Sequence, residues 1–376
     1  MKKICFVATV EYAVNVFLLS HLRALSKIYD ITVIVSTNNI NFLAEQGVDV
    51  NVIALNLARE ISPTKDLIAF ARLISIFRQQ RFNAVHSIMP KSGLLAMLAA
   101  YVSHVPLRVH TFTGQVWANK VGLKRFLLKQ FDCFTAALST HNMVDSTSQL
   151  KFLLNEKVMT QEKTFVSCNG SIAGVDIDRF KPNNVAKINI RRQLAISEGA
   201  LIFLFLGRLT KDKGVLDLAQ AFTMINNNNV HLLFVGPDEQ FTQSKIELLT
   251  QTCSQNVHFV GYTSNPESFM SAADVICLPS YREGFGSVII EAAAVGIPAI
   301  ASRIYGVTDA IVENETGLLH QPKNINDLKL CIESLINNKL LRLVLGKKAK
   351  KRAISAFNKD LLTQAWVDFY KSNLHD

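Results

Sequence analysis

Short apolar runs alternate with helix-patterned segments along this whole chain, and the series occurs twice. In the first half the runs fall at 4–8, 31–35, 50–55, 84–88, 107–112, 134–138 and 164–166. In the second they fall at 201–206, 231–235, 257–260, 275–278, 299–301 and 317–319. They are apolar on both faces, as parallel strands covered by helices on each side must be. Helical patterns such as 67–78 and 91–103 separate them. A polar break at 180–185 divides the two series, and 376 residues exceed what one hydrophobic core organises. The chain is therefore expected to form two doubly wound α/β domains, 1–182 and 183–357. Ligands of such domains bind at the carboxyl ends of the strands.

Composition narrows the class. With 49% hydrophobic and 19% charged residues the chain is globular, and no uncharged apolar run approaches the ~20 residues that span a bilayer. The first residues read as a buried strand rather than a secretion signal, because Glu11 and Asn15 interrupt the apolar stretch. Six cysteines are scattered without a Cys-x-x-Cys pair, a pattern of reduced thiols that points to the cytoplasm rather than to disulfides or zinc. Residues 1–180 carry 19 Lys+Arg against 12 Asp+Glu, an excess of seven, whereas 181–376 carry 21 against 18. Part of the excess, Lys120, Lys124, Arg125 and Lys129, lies along a helical pattern with Trp117, Phe126, Leu127 and Leu128. Such a basic amphipathic helix either lies on an anionic membrane surface or is a solvated face. No nucleic-acid-binding motif is present, and nucleic acid is not expected as a partner.

The segment 278–291 carries the most chemistry. An apolar strand stops at Pro279, a loop with Gly284 and Gly286 follows, and a helix pattern begins, with Glu283 in the loop and Glu291 eight positions on. A strand, a glycine turn and a helix start leave backbone N–H groups free to meet a phosphate. Carboxylates beside such a site repel phosphate but accept hydrogen bonds from sugar hydroxyls. A second loop, 207–214, follows another apolar strand and carries Gly207, Arg208 and Lys213. A fork-shaped cation and a point-like cation there suit a diphosphate and the charge it gains on leaving a glycosyl bond. Together the loops predict a nucleotide-sugar site.

These two loops, with Val235-Gly-Pro-Asp238, the stretch from Gly170 to Asp176, Phe180, and Glu315 to Leu319, resemble the retaining glycosyltransferases of family 4. The resemblance covers essentially the whole chain. It implies the GT-B fold, two Rossmann-like domains facing a central cleft, with the last helix (358–376) crossing back onto the first domain. By the same resemblance Arg208 and Lys213 hold the donor diphosphate near Gly207. Glu283 and the backbone of Gly284, Phe285 and Gly286 grip the donor sugar, and Ser287 and Val288 touch phosphate. Glu291 receives the ribose, and Gly261 and Tyr262 lie near the base. His110 matches the family's histidine near the anomeric carbon, expected at the carboxyl end of its strand.

The first strand-to-helix loop departs from the family by lacking a Gly-Gly pair, so no phosphate role falls there. Glu11 and Thr113 are instead the acceptor candidates. The stretch from His110 to Trp117, with Asp145 to Gln149, also resembles a bacterial branch that extends lipid-linked oligosaccharides for surface polysaccharide. That likeness implies a UDP-sugar donor, a polyprenyl-diphosphate-linked glycan acceptor and a peripheral place on the inner face of the cytoplasmic membrane. No metal-ligand cluster is evident, and neither metal nor cofactor is expected. A GDP-sugar donor, or an epimerase or hydrolase of nucleotide sugars on the same fold, is the alternative.

Overall fold

The computed structural model describes residues 1–57 and 62–374. The chain forms two compact units, Met1–Gly174 with Lys359–Asp376, and Val175–Asn358. In the first unit the strands are β1 (Lys3–Ala8), β2 (Asp30–Val35), β3 (Asn51–Ala54), β4 (Ala84–Ile88), β5 (Leu107–Phe112), β6 (His141–Val144) and β7 (Thr164–Val166). They form one parallel sheet in the order β3-β2-β1-β4-β5-β6-β7. The second unit has β8 (Leu201–Leu206), β9 (Val230–Val235), β10 (Val257–Val260), β11 (Val275–Leu278), β12 (Ala299–Ser302) and β13 (Gly317–His320). Its parallel sheet runs β10-β9-β8-β11-β12-β13. Each order reverses once, between β1 and β4 and between β8 and β11, and this reversal opens a crevice at the carboxyl edge of a doubly wound sheet.

The apolar runs become strands with one exception. Residues 134–138 continue the helix Gly122–Leu138, and the strand there is β6, with the sequence His-Asn-Met-Val. Phe134 faces solvent while Thr135 and Ala136 are buried, a helical rather than an alternating pattern.

The unit boundary also differs from the polar break. Val175 and Phe180 are buried in the core of the second unit, and the Val175 N–H donates to the Phe357 carbonyl at 2.7 Å. Residues 175–182 thus belong to the second unit. The helix Lys359–Asn373 belongs to the first, where Trp366 and Tyr370 are fully buried beside Phe6 and Leu22. The Trp366 ring stacks on His21 at 4.1 Å and on His86 at 4.7 Å, and the Tyr370 hydroxyl lies 2.7 Å from His86 Nδ1.

Candidate active site

The two loops singled out by sequence follow β8 and β11, which pair directly through Phe203 with Val275 and Leu204 with Ile276. Residues some seventy positions apart therefore share one crevice. The first loop closes with the short turn Lys211–Lys213 and Gly214, whose φ of +68° only glycine adopts without strain. A Cβ on Gly214 would stand 2.0 Å from the Pro279 carbonyl oxygen. The Tyr281 N–H donates to the Asp212 carbonyl at 2.9 Å, and the Tyr281 hydroxyl donates to Asp217 at 2.7 Å. Backbone contact and hydrogen bonds thus join the loops before any charge is counted.

Charge joins them again. Lys213 Nζ donates to Glu283 Oε1 at 2.5 Å, both side chains being largely shielded from solvent. The structure thus brings together the cation and the carboxylate that sequence placed in separate loops. Arg208 points elsewhere: its guanidinium pairs with Glu239 at 2.8 Å on a more exposed surface. Glu239 lies in the loop after β9, held by Asp238, which accepts backbone N–H groups from Gln240, Thr242 and Gln243. Sequence reading did not single out Glu239, and only the order of β8 and β9 could have pointed to it.

Beyond Glu283 the chain turns at Gly286 (φ +82°) into the helix Ser287–Val295. The Phe285 ring is buried against Phe357, so at this position only the backbone can face a ligand. Gly306 approaches so closely that its Cβ would lie 2.2 Å from the Gly284 carbonyl oxygen, which supports the turn from behind. Ser287 and Val288 occupy the first helical turn, with backbone N–H groups that the helix itself leaves free.

Glu291 sits on the same helix, its side chain partly buried. Burial pushes its carboxyl up to about 7, opposed by the Arg179 charge and reinforced by Glu267. Arg179 is fixed by Glu267 (3.0 Å) and by the Ser264 carbonyl (2.7 Å). It belongs to the stretch just before the polar break, where sequence gave no sign of a site role. Gly261 and Tyr262 follow β10, both exposed.

In the first unit Glu11 begins the first helix and accepts a hydrogen bond from the Thr37 hydroxyl at 2.8 Å, beside the carboxyl end of β2. Thr113 follows β5, and its carbonyl accepts from the Gln115 and Gln149 side chains. His110 differs from expectation. It lies two residues inside β5 rather than at its end, and is 1% exposed. Its Nδ1 is 2.8 Å from the Ser87 hydroxyl, its ring meets Phe112 edge-on, and Gly93 leaves the space it fills. Burial lowers it to about 3, so the imidazole is neutral. The ring is therefore packing within the sheet layer, and it is Thr113 that stands at the strand end.

Residues 186–352 match the family model of glycosyl transferases group 1, and residues 3–142 match that of glycosyl transferase 4-like. With most of its length so matched, the chain belongs to these glycosyltransferases, and it is an enzyme of GT-B fold. The capsular polysaccharide biosynthesis glycosyltransferase CapM of Staphylococcus aureus is 27% identical over 358 residues, covering 90% of this chain and 93% of that protein. The UDP-Gal:alpha-D-GlcNAc-diphosphoundecaprenol alpha-1,3-galactosyltransferase of Escherichia coli is 26% identical over 310 residues, covering 80% and 78%. Among solved structures, Anabaena HepE in complex with UDP and glucose superposes with a TM-score of 0.82 at 17% identity, covering 99% of this chain and all of that one.

Proposed function

We propose that the enzyme transfers a hexose or N-acetylhexosamine from a UDP-sugar, with retained anomeric configuration, to a polyprenyl-diphosphate-linked glycan in cell-surface polysaccharide assembly. The observation that carries this reading is the Lys213–Glu283 contact where the strand order reverses. A cation suited to a diphosphate and a carboxylate suited to sugar hydroxyls stand as each other's partner, and a bound donor would give each a ligand group of its own. The names of the Escherichia coli and Staphylococcus aureus relatives support a nucleotide-sugar donor, a lipid-diphosphate acceptor and a surface-polysaccharide product.

In this reading Arg208 leaves Glu239 and joins Lys213 on the diphosphate near Gly207. Glu283 and the backbone of Gly284, Phe285 and Gly286 hold the sugar. Ser287 and Val288 N–H groups meet phosphate, Glu291 takes the ribose hydroxyls, and Gly261 and Tyr262 border the base. Glu11 and Thr113 face the acceptor. The bond from the anomeric carbon to the diphosphate breaks as the acceptor hydroxyl bonds to the same face, and the hydroxyl proton passes to the departing phosphate oxygen. Arg208 and Lys213 stabilise the charge that grows there, the role a metal ion fills in other transferases. His110 acts only by positioning β4 and β5.

The test combines purified enzyme with a panel of UDP- and GDP-sugars, with and without a polyprenyl-diphosphate glycan, reading nucleotide release and product mass. One UDP-sugar should turn over only with acceptor present, in chelator as well as without it. Lys213→Ala should lower kcat by about a hundredfold or more. Equal nucleotide release without acceptor would make the enzyme a hydrolase or epimerase. A GDP-sugar as the sole substrate would overturn the donor assignment.

A further inference from the structure

The helix Gly122–Leu138 presents its faces the opposite way from a basic helix lying on a membrane by charge alone. Arg125 and Lys129 turn inward, both pairing with Glu156 (2.6 and 2.7 Å) and both lying over the Trp117 ring. Trp117 is in turn anchored by its indole N–H to Asp132 at 2.7 Å. What faces outward is mainly apolar: Leu123, Phe126, Leu127, Phe131 and Phe134, continued by Val121 just before the helix, with the exposed but uncharged Gln130 among them. Val121 is 86% and Leu123 72% exposed, and the other apolar side chains are about half exposed. On a 3.6-residue helix those five fall within one stripe, directly opposite Leu128, Asp132 and Ala136. Monomeric proteins rarely leave such a stripe uncovered.

We infer that this stripe is a docking face for an anionic lipid bilayer. The exposed Lys124 borders it on the helix and Lys120 lies two residues before the helix, and no aspartate or glutamate occurs between residues 112 and 131. A face of this charge complements anionic headgroups. A second copy of the chain docked through the same face would set lysines against lysines, which favours the bilayer over a dimer. Among the described residues no helix is long and apolar enough to cross a membrane, so contact through this face is peripheral. The ion pairs to Glu156 and the Trp117–Asp132 bond hold the helix to the first unit, so the stripe is presented by the folded unit. The side chains would sink to the level of the headgroup–acyl boundary, about 5–10 Å deep. The inference extends the reading of a lipid-linked acceptor but has its own readout: turnover of detergent-dispersed acceptor tests the reaction, and vesicle binding tests the face.

The experiment sediments the full chain with phosphatidylcholine vesicles, with and without about one-quarter phosphatidylglycerol, at ~0.15 M salt. Most of the protein should sediment with the anionic vesicles and little with the neutral ones. Phe126→Asp with Phe131→Asp should cut the bound fraction about tenfold at an unchanged melting temperature, and the milder Leu127→Asn several-fold. Three results would overturn the inference. In one, the wild-type protein stays in the supernatant. In another, both variants bind like wild type. In the third, light scattering finds a dimer that the double variant converts to monomers, which would give the stripe to a second copy.

Discussion

Glu291 is the site residue whose chemistry its surroundings change most. Its carboxyl, pushed up to about 7 by burial, is largely protonated in mildly acidic solution, yet ribose hydroxyls donate best to a carboxylate. Binding of a UDP-sugar should therefore release a proton and tighten as pH rises towards 7. Calorimetric titration in two buffers of different ionisation enthalpy should find a release approaching one proton at about pH 6, and little at about pH 8.5. Glu291→Gln should abolish the difference, and a release that survives it would place the titrating group elsewhere. The identity and spacing of Glu283 and Glu291 were legible in the chain. The raised carboxyl of Glu291 was not, because it depends on burial when the chain folds and on the charges of Arg179 and Glu267, distant from it in sequence. His110 shows the same limit: the sequence marks a histidine near a strand end, but the close approach of Gly93 and Ser87 buries it.

At the scale of elements, the site exists because β8 and β11 are neighbours. Gly214 records that adjacency, since its missing Cβ leaves room for the Pro279 carbonyl. Gly214→Ala should destabilise the protein by about 2–4 kcal/mol through αL strain and backbone displacement, and weaken donor binding by moving Lys213 from Glu283. Gly199→Ala is the control, since its φ is not in the left-handed region and nothing lies within 4 Å of its Cβ. Thermal unfolding of both variants checks this, and equal effects would refute the adjacency argument. The glycine-rich turn was visible in the sequence as a turn. That its glycine faces a strand end some sixty-five residues later was not, because no local periodicity encodes strand order. The run 134–138 resembles a strand in sequence for a related reason: apolar density alone cannot distinguish a strand from the end of a helix whose outer stripe is itself apolar.

At the scale of the molecule, seven histidines among the described residues are lowered chiefly by burial. His21 falls to about 4 and His110 to about 3, and both are buried with His86 in the first unit. A histidine lowered in the folded state leaves stability intact above its unfolded value and removes it as pH falls below about 6.5, at roughly 1.4 kcal/mol per pH unit for a fully buried ring. Asp132, raised to about 6, and Glu291, raised to about 7, act in the opposite sense but are two groups against seven. The melting temperature should therefore drop by several degrees between pH 7 and pH 5. A flat profile over that interval would show that the buried histidines accept protons without cost. Sequence alone determined the two α/β halves, the strand-loop-helix corners and the residues they carry, because hydrophobic period and turn chemistry act between near neighbours. Tertiary structure alone decided that β8 meets β11, that Lys213 finds Glu283, that 175–182 joins the second unit, and that the helix Gly122–Leu138 turns its charges inward. Those outcomes depend on which surfaces close over one another, and a chain's local pattern does not contain that information.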